Sequence, residues 1–166
     1  MNKARLAHPL ALLLMLLVLV ALPIGRAQSA PFDPEHPYAV KDDGTVDWYT
    51  YSGYRRYHSD CHVCHGPDGL GSSFGPALAD SLKTLTYDQF IDTVTNGRKN
   101  VNTANDKVMP SFGLNPNVMC YVDDIYAYLK ARSDGKIGRG RPPKHDDKPP
   151  EAKQHEADCM PSGSGG

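Results

Sequence analysis

No stretch of this chain is apolar for long enough to cross a bilayer well. The longest run, Leu10 to Leu22, holds 13 of the 166 residues, and the hydrocarbon core asks for about 20. Basic charge is not in excess either: 18 Lys and Arg stand against 19 Asp and Glu. Without a basic stripe to neutralise phosphates, nucleic acid is a poor partner. Internal repeats are absent, which excludes solenoids and propellers. Large aliphatic side chains are scarce between Gly53 and Leu129. A domain of about 80 residues with so few would be marginal on its own, so an apolar group from outside the chain is expected to fill its middle.

The apolar run has the setting of a secretory signal. Lys3 and Arg5 precede it, Pro23 and Gly25 break it, and Ala27, Ser29 and Ala30 supply small residues for cleavage. Cleavage is expected after Ala27, with Ala30 as second choice. An uncleaved anchor is the competing reading, and the length of the run weighs against it. Removal of residues 1–27 leaves 15 basic and 19 acidic side chains, a formal charge of −4. The expected product is a periplasmic protein with no stable membrane insertion.

Residues 28–46, rich in Pro, Asp and His, read as an extended arm. The domain proper is expected over 47–132 and a coreless tail over 133–166. Three helices are predicted in the domain. The first is aromatic, from Trp48 to Tyr57, with Asp47 as its N-cap. The second begins at the capping-box pattern Thr86-Tyr87-Asp88-Gln89 and ends at Gly97. The third runs from Asn117 to Arg132, where Val118, Val122, Ile125 and Leu129 fall within about 60° of one another. Long loops separate them, 98–116 among these. Asp42-Asp43-Gly44 reads as a turn before the first cap, since the later ligands of a calcium loop are missing.

Cys61-His62-Val63-Cys64-His65 is the strongest chemical signal. In such a motif two thiols add to the vinyl groups of a heme, and the adjacent histidine ligates its iron. A redox disulfide would need a thioredoxin-like strand and helix, and a zinc site two further ligands at suitable spacing. Neither is in view. One covalent heme c is therefore expected on Cys61 and Cys64, with His65 as the first axial ligand. The second axial ligand is expected at Met109, in Val108-Met109-Pro110-Ser111-Phe112, because a thioether is a soft neutral donor. Met119 competes, but packing within the third helix explains it. His36, His58 and His62 are expected to be exposed. The Pro76 carbonyl is a candidate acceptor for the Nδ1–H of His65; a plain turn proline is the alternative. Cys120 falls on the face of the third helix away from the apolar stripe, with Asp124, Ala127 and Ala131. In an oxidising compartment it is expected to pair with Cys159 and strap the tail across that face. Pairing of Cys159 with another chain remains open.

Gly53-x-x-x-Tyr57-x-x-x-Cys61, the heme motif, Gly75-Pro76-Ala77-Leu78, Met109-Pro110 and a last helix rich in tyrosine together resemble a class I cytochrome c. The stretches from Asp47 to His58 and from Gly97 to Thr103 resemble, more narrowly, the four-cysteine c-type cytochromes related to methanol metabolism. That resemblance covers most of residues 38–148 plus Cys159. It implies an all-α class I cytochrome c fold of three main helices around one heme. It also implies a periplasmic monomer, not an enzyme, that carries single electrons in methylotrophic or alcohol-oxidising bacteria. Its donor would be a quinoprotein (pyrroloquinoline quinone) alcohol dehydrogenase, and its acceptor another cytochrome or a terminal oxidase. The alternatives are a heme sensor or assembly subunit of a dehydrogenase complex, and a peroxidase-like heme enzyme.

Overall fold

The computed structural model describes residues 32–102 and 105–160. The expected signal peptide lies outside the described residues. Helices dominate. α1 spans Trp48–Asp60, α2 is the single turn His62–His65, and a 3-10 turn covers Pro67–Gly69. α3 (Leu78–Ser81) and α4 (Tyr87–Asn96) follow, then an antiparallel hairpin of β1 (Arg98–Asn102) and β2 (Asn105–Met109). The chain closes with α5 (Pro116–Met119), α6 (Val122–Ser133) and α7 (Pro150–Cys159). Among the described residues no helix is long and apolar enough to cross a membrane.

The two caps read from the sequence form as expected. Asp47 accepts from the Thr50 N–H at 2.9 Å and also from its hydroxyl. Thr86 and Gln89 satisfy each other's backbone donors at the start of α4. Of the four free N–H groups that a helix start exposes, the side chains satisfy one at α1 and two at α4.

The framework is the crossing of α1 and α6. They meet at Gly53, where an added Cβ would sit 1.8 Å from the Asp124 carbonyl oxygen and 2.9 Å from the Tyr128 Cβ. Only glycine permits so close a backbone approach. This corrects the expected outer face of the last helix: Cys120, Ala127 and Ala131 are buried there, because Gly53 and the small side chains let α1 lie flat against it. The apolar stripe of Val118, Val122, Ile125 and Leu129 faces the opposite way, into the core with Tyr57, Leu82, Phe90 and Val94. The third helix itself is broken in two, since Tyr121 departs from helical geometry between α5 and α6.

Two further expectations give way. The loop read over 98–116 contains the hairpin, which is polar and therefore shows no strand pattern. The tail is not coreless, although its own contribution among the described residues is two buried residues, Pro142 and, on α7, Ala152. It borrows the aromatic face of α1 instead. His145 stacks on Tyr51 at 3.6 Å, Arg141 donates to the Tyr51 hydroxyl, and Lys148 lies over the Trp48 ring. Cys120 and Cys159 are bonded, with their Cα atoms 5.8 Å apart. The N-terminal arm docks as well: Phe32 packs on Tyr87 and Tyr126, and Val46 is bridged to both Val40 and His145.

Candidate heme site

The last turn of α1 delivers the cysteine motif, because the Cys61 N–H still bonds to the Tyr57 carbonyl at 2.9 Å. The His65 N–H then bonds to the Cys61 carbonyl at 3.0 Å, so one helical turn carries all three residues. Its terminal carbonyls would be left without partners, and those of Cys64, His65 and Gly66 each receive one. Ser72 Oγ donates to Cys64, the Gly71 N–H to His65 at 2.7 Å, and the Tyr57 hydroxyl to Gly66.

His65 is 7% exposed. Its Nδ1 lies 3.0 Å from the Pro76 carbonyl, and a carbonyl can only accept, so Nδ1 carries the proton and Nε2 keeps a lone pair. The ring is boxed from behind by Gly75, where a Cβ would come within 3.0 Å of Nδ1.

Facing the motif's cleft from another element is Met109, the last residue of β2, paired directly with Arg98. The segment after it is sewn to the end of α4. Phe112 N–H bonds to the Val94 carbonyl at 2.9 Å, Gly113 N–H to Thr95 at 3.1 Å, and Ser111 Oγ also donates to Thr95. Cys61, Cys64, His65, Pro76 and Met109 all line one cleft, which opens partly to solvent. Its walls come from Leu85, Phe90, Val94, Val118, Ile125 and Leu129.

The donor set and the walls fit a covalent heme. Burial, with Asp60 and Cys64 adding to it, pushes the Cys61 thiol up to about 12. A sulfur held neutral suits a thioether and disfavours a thiolate–metal bond. One imidazole lone pair and one neutral thioether are the remaining donors, and the walls match a flat apolar ring.

Some residues around the site escaped the sequence reading. His58 and His62 are half-buried, not exposed: His58 Nδ1 donates to the Tyr54 carbonyl, and His62 Nδ1 is buried without a hydrogen-bond partner. Asp68 is 5% exposed and holds a left-handed backbone conformation, φ 59°. Its carboxylate accepts from Gly140 N–H at 2.9 Å and Arg139 Nε at 3.3 Å, while its carbonyl accepts from Arg132 Nε at 3.3 Å. Burial alone would raise its pKa; the Gly140 N–H and the two arginines outweigh that and lower it. Its partners lie far along the chain, so nothing local in the sequence revealed them.

Residues 50–129 match the family described as cytochrome c oxidase, cbb3-type, subunit III. Cytochrome c-553I of Paracoccus denitrificans is 54% identical over 123 residues, 74% of this chain and 54% of that protein. The chain thus spans about half the length of that relative. Cytochrome c-555 of Methylococcus capsulatus (Bath) is 42% identical over 96 residues, 57% of this chain and 72% of that protein. Among solved structures, the c-type cytochrome XoxG from Methylobacterium extorquens AM1 shares 45% identity at a TM-score of 0.64, covering 79% of this chain and 85% of that one.

Proposed function

This chain belongs to the c-type cytochromes, which hold heme c covalently, and from that premise we propose that it is a periplasmic one-electron carrier. The observation that carries the reading is the single apolar cleft lined at once by Cys61, Cys64, His65 and Met109. Cys61 and Cys64 hold the heme through thioethers. His65, oriented by the Pro76 carbonyl, and Met109 ligate the iron. The bound group supplies a one-electron Fe(III)/Fe(II) couple. With His65 and Met109 both holding the iron, no place would be left open on it for peroxide or oxygen, which favours electron transfer over enzyme chemistry.

The walls keep water from the ring and keep its surroundings nearly unchanged between oxidation states. Around the mouth, Phe74 and Val108 line the cleft and are strongly exposed, and Val63 and Leu70 stand exposed beside the motif. Redox partners dock on this rim through small, transient contacts. The resemblance of the Asp47–His58 and Gly97–Thr103 stretches to methanol-related cytochromes supports a quinoprotein alcohol dehydrogenase as donor and another cytochrome or an oxidase as acceptor. The apolar run Leu10–Leu22 and the Cys120–Cys159 bond support export to an oxidising compartment, and the carrier works there as a monomer.

Optical spectra of the purified protein test the site. Low-spin c-type bands are expected, with the weak far-red band of methionine sulfur on ferric iron, which Met109→Ala should remove. A high-spin spectrum in the unaltered protein would overturn the axial assignment. Stopped-flow mixing with a quinoprotein methanol dehydrogenase and substrate tests the donor. Absence of heme reduction at every ionic strength would reject it.

A further inference from the structure

A heme brings two carboxylates as well as a ring, and an apolar cleft that takes the ring must also deal with those charges. An anion pressed against such walls without a counter-charge is strongly disfavoured. The cleft offers few groups that could answer it. Its ionisable lining consists of the motif residues, Asp60 on α1 and Arg98 at the start of β1. Asp60 carries the wrong sign, and burial, opposed by Arg56, raises its pKa. Arg98 is the one lysine or arginine among the described lining residues.

Its position is fixed independently. Gly97 ends α4 with its N–H on the Thr93 carbonyl, and β1 begins at the next residue. Arg98 pairs directly with Met109 across the ladder, and directly opposed residues in an antiparallel pair project from the same face. Arg98 and Met109 therefore share one face of the hairpin, and both line the cleft; Lys99, paired with Val108, is not among the lining residues. Arg98 is itself exposed, so its long side chain sits at the mouth, where an anionic edge meets water.

We infer that Arg98 is a cofactor-binding residue: its guanidinium receives a carboxylate of the bound heme, at the cleft mouth beside the methionine ligand. A planar fork of donors suits a carboxylate in a way that an ammonium does not. The hairpin then has two tasks, presenting Met109 to the iron and Arg98 to the ring's acidic edge. This inference rests on heme occupying the cleft.

The test uses the holoprotein, with Arg98→Leu, Arg98→Lys and Lys99→Leu compared with the unaltered chain. Loss of a positive charge at the heme edge favours the oxidised state over the reduced one, so Arg98→Leu should lower the midpoint potential. It should also shift the carboxylate bending mode in the resonance Raman spectrum and leave the far-red methionine band in place. Arg98→Lys should recover part of the potential, and Lys99→Leu should leave the bending mode unmoved. An unchanged bending mode in Arg98→Leu would overturn the inference. So would loss of the methionine band, since Arg98 would then act through the strand and not on the carboxylate. Equal effects of Arg98→Leu and Lys99→Leu would reduce Arg98 to a general surface charge and overturn it too. If the unaltered protein shows no c-type spectrum, it is the heme reading that fails, a result separable from all of these.

Discussion

The two sides of the cleft are held by different means. On the histidine side the bonds that hold the ligand itself are close in sequence: the motif, the Gly71 and Ser72 bonds, and the Pro76 carbonyl 11 residues from His65. On the methionine side the ligand is placed indirectly, by a strand register and by bonds from residues 111–113 to the end of α4. The histidine ring is held by a hydrogen bond, whereas the methionine side chain is held only by packing against the core. It follows that the Met109 side is the one that yields first when the fold loosens.

The largest effect expected from breaking this arrangement comes from the clamped side. His65→Ala should abolish accumulation of holoprotein, while Met109→Ala retains covalent heme and loses only the far-red band; heme staining of denaturing gels beside optical spectra distinguishes the two. Gly53→Val belongs in the same class, because its side chain would collide with the Asp124 backbone, and no folded protein is expected on purification.

Next comes the strap behind both sides. Removing Cys120 and Cys159 together opens a loop with a sequence separation of 39, which should cost about 4 kcal/mol in urea unfolding by the chain-entropy argument. The heme spectrum should be unchanged, since neither sulfur lines the cleft.

A smaller effect comes from Asp124, at the crossing of α1 and α6. Burial lifts its pKa to about 7, Asp123 and Asp47 adding to the rise while a Ser52 hydrogen bond and Arg56 oppose it. The folded state therefore holds a proton that the unfolded chain releases near pH 4. Stability from this group is full below that pH and is lost as pH rises towards 7. Asp124→Asn should flatten that decline in urea titrations between pH 4 and 8; a parallel decline in both proteins would contradict the assignment.

The finest test weighs the two helix caps against each other. Asp47→Ala and Thr86→Ala should each cost about 1 kcal/mol. Only Thr86→Ala loosens the helix to which the methionine segment is sewn. It should lower the pH at which the far-red band disappears, whereas Asp47→Ala should leave that pH in place.

What could be read in advance followed the range of each interaction. Asp47, Thr86 and the cysteine motif act within a few residues, so spacing alone revealed them. The apolar stripe of α6 was visible as a period, but its other face was not. That face is buried by small residues, Ala127 and Ala131 against Gly53, which carry no hydrophobic signature. The hairpin of Asn, Asp and Lys residues is stabilised by pairing and gives no alternation. α7 buries only Ala152, and its partner Cys120 lies 35 residues back from His155 and 39 from Cys159, so nothing local announced it. Arg98 was invisible as a site residue for the same reason: its role depends on standing opposite Met109.

Asp68 joins the heme-motif loop to Arg132, Arg139 and Gly140, and the last of these lies 72 residues further on. A chain is made from its N-terminus, so the loop behind His65 emerges long before the groups that complete it. The motif is thus presented with its anchoring acid still in water, and the left-handed turn at Asp68 closes only when the end of the chain arrives. The tail, remote in sequence and chemically plain, thus completes the support behind the heme motif.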